Sequence, residues 1–230
     1  MVRVPSSDGK EFSAYMALPI KGRGPGVVVA QEIFGVTDSL KQVCDFLASR
    51  QFTAICPDLY WRSEEGVVLK ENDYERARAM RAKTDDNQAA ADLNATMEFL
   101  KKHPGCTGRV GIIGYCWGGM LSYLTACRHK PEAAVGYYGV GIENKLDQSA
   151  NLSCSLMLHY AGKDAYAGPD VRAKVRAAHE GDPKVTILEY PDADHAFARP
   201  GGHIFHYASA DLADMRTLSF LTEKLFGPRG

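Results

Sequence analysis

Gly114-Tyr115-Cys116-Trp117-Gly118-Gly119 constrains this chain more than any other segment. It follows the apolar run Arg109-Val110-Gly111-Ile112-Ile113 and is itself followed by a helix-patterned stretch. The spacing G-x-C-x-G at a strand-to-helix turn has a steric meaning. A reactive side chain held up on so sharp a turn needs small residues two before and two after it, so that strand and helix can approach each other. Cys116 then stands at a helix N-terminus, where the dipole and the free amides favour a thiolate. The Trp117 amide points toward the position of a developing oxyanion. A glycine-rich turn around a buried cysteine is the competing reading, and the preceding strand speaks against it.

The rest of the chain reads as short apolar runs alternating with longer amphipathic ones, the pattern of an α/β protein with a mostly parallel central sheet covered on both faces. Strands are expected over 12–18, 27–30, 53–56, 109–113, 133–138, 155–160 and 185–190. Helices are expected over 39–49, 74–81, 87–102, 117–127, 169–179 and 208–225. Asp38 is a candidate cap for the first helix, Gly105 follows the third, and Pro169 suits a first-turn position. At 230 residues the chain fits a single domain, 1–230, and the polar stretch 62–86 reads as an insertion over the sheet edge.

In a sheet with such a turn, an acid and a histidine are expected after later strands, in the order nucleophile, acid, histidine. After Ser155–Tyr160 comes Ala161-Gly162-Lys163-Asp164, and after Val185–Tyr190 comes Pro191-Asp192-Ala193-Asp194-His195. His195 is therefore the expected base and Asp164 its orienting acid. Asp170 is better placed to serve a helix start, and Asp192 and Asp194 read as turn residues. The other six histidines read as core or surface residues. The loop after the early strand, Ala30-Gln31-Glu32-Ile33-Phe34-Gly35, is expected to supply a second oxyanion donor from the Ile33 amide.

Composition closes several other doors. A net charge of −1 offers no basic footprint for nucleic acid, and nowhere do 18 apolar residues run together, so neither a membrane span nor a signal peptide is expected and the reading is cytoplasmic. The six cysteines form no CxxC pair; no metal site and no cofactor are expected.

These segments resemble the dienelactone hydrolase family, the carboxymethylenebutenolidases, over nearly the whole chain. The resemblance is carried by Gln31-Glu32-Ile33-Phe34-Gly35-Val36, Cys56-Pro57-Asp58-Leu59-Tyr60, Gly114–Gly119, Ala134-Val135-Gly136-Tyr137-Tyr138-Gly139 and His195-Ala196-Phe197-Ala198-Arg199. It implies an α/β-hydrolase fold without a lid domain, a Cys116–His195–Asp164 triad, and hydrolysis of a dienelactone to maleylacetate. It further implies that Glu32 gates thiolate formation and that Arg199 binds a substrate carboxylate. A second arginine is expected from Arg76, Arg78 or Arg81, with Arg78 preferred, although this run departs from the family pattern. Tyr137 and Tyr166 are expected to line the pocket. Asp194 stands where the family often has glycine, and a carboxylate there would raise the pKa of His195 if it faced inward. The expected partner is a small lactone or ester, with the chain a monomer or weak homodimer. A broader carboxylesterase or thioesterase is the alternative activity, and a noncatalytic small-carboxylate binding module the alternative class.

Overall fold

A computed structural model describes residues 1–227. The chain divides into two compact units, Met1–Gly111 and the chain from Ile112 onward.

The first unit holds β1 (Val2–Pro5), β2 (Glu11–Ala17), β3 (Gly24–Ala30), α1 (Asp38–Ser49), β4 (Thr53–Pro57), α2 (Tyr74–Ala82), α3 (Asp86–Lys102) and the start of β5 (Cys106–Tyr115). Its strands run in the order β1-β2-β4-β3. The β3–β4 pair is parallel, as the α1 crossover requires, whereas β1–β2 and β2–β4 are antiparallel. Every residue of β3 is buried, so it carries a continuous apolar run rather than an alternating one. It begins three residues earlier than expected because Gly24 and Gly26 sit in close contacts. A Cβ on Gly26 would lie 2.7 Å from the Leu100 side chain, and one on Gly24 would lie 1.9 Å from the Gln51 carbonyl oxygen. Strand β1, four residues long, gave no readable period and was not expected.

The second unit contains the end of β5, α4 (Trp117–Arg128), β6 (Ala133–Tyr137), β7 (Ser155–Ala161), α5 (Pro169–Ala178), β8 (Val185–Tyr190) and α6 (Tyr207–Phe226). Strands β5-β6-β7-β8 are all parallel. Their C-terminal ends therefore lie along one edge, where α/β sheets place their chemistry. The eleven residues of α4 from Trp117 to Cys127 are all buried, so this helix is enclosed all round, Ser122 and Thr125 included, rather than showing one face to solvent. With β5 to β8 parallel and helices between them, the expected α/β class with a mostly parallel sheet is found.

One helix cap differs from expectation, and two further caps had no expected residue. Asp38 is not the cap of α1: Thr37 occupies that position, and Asp38 lies inside the first turn, ion-paired with Lys41 at 2.8 Å. Asp85 caps α3, its carboxylate accepting from the Asn87 and Gln88 amides. His206 caps α6 by accepting from the Ser209 amide. Among the described residues no helix is long and apolar enough to cross a membrane.

Candidate active site

Three connections in the second unit carry the site, each at the C-terminal end of a parallel strand. The first joins β5 to α4. Cys116 is the N-cap residue of α4, with φ 55° and ψ −118°, a backbone conformation L-residues avoid. It persists because the surroundings over-determine it. A Cβ on Gly114 would lie 2.0 Å from the Gly118 carbonyl oxygen, and one on Gly119 would lie 2.8 Å from the Tyr137 carbonyl oxygen. The Cys116 amide donates to the Tyr137 carbonyl at 3.0 Å, and the Cys116 carbonyl accepts from Val140 at 3.3 Å. Cys116 is partly exposed, whereas Cys44, Cys56, Cys106, Cys127 and Cys154 are buried. Burial drives the thiols of those five above the ordinary range, which leaves them unreactive.

The second connection follows β7 and carries Asp164, which is 3% exposed. One carboxylate oxygen, Oδ1, accepts from the amides of Tyr166 at 2.7 Å and Ala167 at 3.1 Å. The other, Oδ2, lies 2.8 Å from His195 Nδ1. Burial alone would raise the Asp164 pKa, but the bond and charge of His195, with the two amides, bring it below the usual carboxylate value. Arg172, from α5, holds the same loop from behind. Its guanidinium donates to the carbonyls of Ala161 at 3.2 Å, Ala167 at 2.8 Å and Gly162 at 3.4 Å, and pairs with Glu189 at 3.5 Å. The sequence offered no signal for Arg172, because its partners are backbone atoms flanking Asp164 and a carboxylate on another strand.

The third connection follows β8. Gly162 and this segment approach so closely that a Cβ on Gly162 would lie 2.6 Å from Pro191. His195 is hydrogen-bonded to both Asp164 and Cys116. Burial disfavours its cation, yet the charge on Cys116, the Asp164 and Cys116 hydrogen bonds and the Asp164 charge together raise its pKa to about 10. An imidazolium at neutral pH, held against the Asp164 carboxylate, is the consequence. Tyr138 and Tyr166 meet the imidazole edge-on at 5.0 and 4.8 Å. Ala196, directly after His195, has φ 65°. Of the four non-glycine residues with positive φ among those described, Cys116, Tyr138 and Ala196 all belong to this constellation. Backbone strain is therefore concentrated where the reactive groups are.

Other expected residues are placed as follows. Trp117 opens α4, so its amide belongs to the first turn, whose N–H groups lie beyond the intrahelical ladder. Tyr166 borders the imidazole, half exposed. Tyr137 does not line an open pocket: it is fully buried, and its hydroxyl donates to Asp214 at 2.9 Å. Its alternation in β6 sends it to the α6 side, whereas Tyr138, after the strand has ended, turns to His195. Asp194 is exposed and accepts from the His195 backbone amide at 2.7 Å; it is not among the groups that raise the imidazole pKa. Arg199 is buried, on the turn in which its amide donates to the Ala196 carbonyl at 3.0 Å.

In the first unit, Glu32 is 2% exposed. The adjacent Gln31 side chain accepts from the Leu59 amide at 3.0 Å, and Tyr60 donates to the Ile33 carbonyl at 2.9 Å, so the segment is pinned at both ends. On α2, Arg76 pairs with Glu64 and Arg81 with Asp86, each at 2.6 Å, while Arg78 is exposed and carries neither pairing. Among the described residues no group of three histidine, cysteine or acidic side chains is placed to hold a metal ion.

Comparison with known proteins bears on the family and the fold. The model of the dienelactone hydrolase family matches residues 12–225. The carboxymethylenebutenolidase of Pseudomonas sp. (strain P51) is 38% identical over 221 residues, covering 95% of this chain and 92% of the relative. A solved structure from Klebsiella pneumoniae subsp. pneumoniae MGH 78578, provisionally named a dienelactone hydrolase, has a TM-score of 0.86 at 30% identity, covering 96% of this chain and 97% of that one. Est1E from Butyrivibrio proteoclasticus shares the fold at a TM-score of 0.71 and 11% identity, covering 97% of this chain and 98% of that one. The chain has the α/β-hydrolase fold and belongs to the dienelactone hydrolase family of ester- and lactone-bond hydrolases.

Proposed function

We propose that this protein opens an enol lactone of the dienelactone type through a covalent thioester on Cys116. The observation that carries the reading is His195, hydrogen-bonded at once to Cys116 and to a carboxylate fixed by two amides. The thiolate attacks the lactone carbonyl and a C–S bond forms. The oxyanion rests on the Trp117 amide and, by the family resemblance, on that of Ile33. Collapse breaks the ring C–O bond, and His195 gives its proton to the departing enolate. Water, deprotonated by His195, then cleaves the thioester and releases the thiol. Asp164 holds the imidazole in the tautomer and orientation both steps need.

Sulfur narrows the substrate. A thiolate leaves a tetrahedral intermediate more readily than an alkoxide does, so attack on an ordinary alkyl ester reverses. An enolate leaving group competes with it, which favours enol lactones and similarly activated esters. The resemblance assigns the substrate carboxylate to Arg199 with Arg78, and gives Glu32 the gating of thiolate formation; Tyr166 borders the His195 ring.

Steady-state hydrolysis of a dienelactone by the wild type and by Cys116→Ala tests the proposal. Turnover is expected to fall by about 10³-fold or more in the variant; unchanged turnover would defeat the cysteine mechanism. If Arg199→Ala weakens a carboxylate-bearing lactone and its methyl ester equally, the clamp fails.

A further inference from the structure

Behind the three turns, six side chains of the second unit form one continuous hydrogen-bonded line. The Arg216 guanidinium donates to the Tyr190 hydroxyl at 3.3 Å, and that hydroxyl lies 2.8 Å from His159 Nδ1. His159 Nε2 lies 2.9 Å from the Thr217 hydroxyl, which is 2.8 Å from the Tyr137 hydroxyl. Tyr137 donates to the Asp214 carboxylate at 2.9 Å. Tyr137 and His159 are fully buried, and Thr217 and Tyr190 nearly so.

Counting hydrogens leaves one way to run the line. Burial, then the Arg216 charge, depresses His159 to about 3, so the ring is neutral and carries a single N–H. The Tyr137 hydrogen goes to Asp214, so the Tyr137 oxygen accepts from Thr217. The Thr217 oxygen must then accept from Nε2–H of His159, which leaves Nδ1 to accept from Tyr190, whose oxygen accepts from Arg216. With the proton on Nδ1 instead, Thr217 would donate to His159. The approach of Tyr137 to Thr217 would then contain no hydrogen. The line is thus polarised from a guanidinium to a carboxylate, with every hydroxyl both giving and accepting.

The backbones of the same residues carry the catalytic turns. The Tyr137 carbonyl accepts from the Cys116 amide at 3.0 Å, and the His159 carbonyl accepts from the Tyr138 amide at 2.7 Å. The Tyr190 carbonyl accepts from Gly162 at 2.8 Å and Ala193 at 3.1 Å, the segments that lead to Asp164 and His195. Three strand ends therefore meet in one line: the Thr217 hydroxyl on α6 bonds Tyr137 of β6 and His159 of β7, and Tyr190 of β8 joins through His159. We propose that Thr217, through His159 and Tyr137, is a positioning residue for the triad, fixing the ends of β6, β7 and β8 so that Cys116, Asp164 and His195 keep their mutual geometry. This rests on the hydrolase reading above.

The test joins kinetics to a spectroscopic readout. Thr217→Val keeps the shape and removes the hydroxyl; Thr217→Ser keeps the hydroxyl. With p-nitrophenyl acetate as the probe, kcat of Thr217→Val is expected to fall about tenfold with KM little changed and the thermal midpoint lowered, because the buried His159 N–H loses its acceptor, and Thr217→Ser to recover most of both. Nitrogen-15 NMR of the wild type at pH 8 is expected to show His159 neutral with its proton on Nε2. At that pH Asp214, lifted to about 6 by burial and by Asp211, is ionised. A His159 proton on Nδ1, or a kcat for Thr217→Val within twofold of the wild type, would overturn the proposal. Should Thr217→Val fail to fold, the tautomer alone decides. Cys116→Ala run beside it separates the two readings. Hydrolysis that survives in Cys116→Ala defeats the nucleophile assignment, whereas hydrolysis lost there but kept in Thr217→Val defeats only the hub.

Discussion

At the Cys116 turn the chain is held in place by missing side chains, whereas at the Asp164 loop it is held by side chains reaching in from elsewhere. Gly114 and Gly119 leave no room for a Cβ, so the strained φ of 55° at Cys116 follows from close backbone contact between β5, β6 and α4. The acid loop has no such strain to enforce. Asp164 satisfies its own loop amides, and Arg172 satisfies three carbonyls on either side of it. Steric exclusion leaves a trace in sequence, because only glycine meets it. Polar satisfaction does not, because a buried carbonyl accepts from any donor that reaches it.

The contrast can be broken from either side. The largest effect is expected for Gly114→Ala, whose Cβ would lie 2.0 Å from a backbone oxygen that cannot yield. A loss of at least about 3 kcal/mol, measured by denaturant unfolding, is expected, and an unchanged midpoint would mean the turn has slack. Asp164→Asn keeps the shape of the acid loop but removes the charge and favours the wrong imidazole tautomer. Its kcat/KM is expected to drop by roughly 10³-fold or more with little change in stability. Arg172→Ala leaves buried carbonyls without a donor and should cost about 2–4 kcal/mol, with Arg172→Lys recovering part of it. If Arg172→Ala lowers kcat but not the unfolding midpoint, the guanidinium orients the loop without stabilising it.

Smaller effects sharpen the same comparison. His195 is raised from 6.5 to about 10, so its contribution to stability is complete below about 6.5 and is lost as pH rises through about 10. Asp164, lowered from 3.8, works at the other end: its contribution is present above that value and is lost as pH falls through its folded pKa. The difference in thermal midpoint between wild type and His195→Gln should therefore shrink between pH 6.5 and 10, and a constant difference would contradict the raised pKa. Asp194→Gly is expected to change stability and kcat by less than about 0.5 kcal/mol, because its exposed carboxylate meets only a backbone amide.

Much of the architecture was legible. Six of the seven expected strands end within one residue of where they were placed, because the turn residues after them are strong punctuators, and the seventh, β5, runs on two residues to Tyr115. Starts were less legible: β3 and β5 begin three residues early, at glycine-rich or polar positions that carry no apolar period. That Cys116, Asp164 and His195 come together was readable because each follows a strand directly. Tyr137 was misplaced for a single-residue reason. It is the last residue of β6 and keeps the strand's alternation, while Tyr138, with φ 38°, has left it. Two adjacent tyrosines look alike in sequence, yet one hydrogen-bonds to Asp214 and Thr217 on α6 while the other meets the His195 ring.

The sequence by itself determined the Cys116 turn, its glycine supports, and the chain order in which Asp164 and His195 follow it, because these depend on local spacing along the chain. The Gly114-x-Cys116-x-Gly118 turn admits few backbones, and a residue directly after a parallel strand has few places to go. Tertiary structure alone decided the donors behind the site: Arg172 on the acid loop, and the line from Arg216 through Tyr190, His159, Thr217 and Tyr137 to Asp214. Those partners are separated by up to about eighty residues, as Tyr137 is from Thr217, and come together only when β6, β7, β8 and α6 pack. Local spacing can specify a strained turn, but a hydrogen bond between distant segments exists only once the intervening chain has folded.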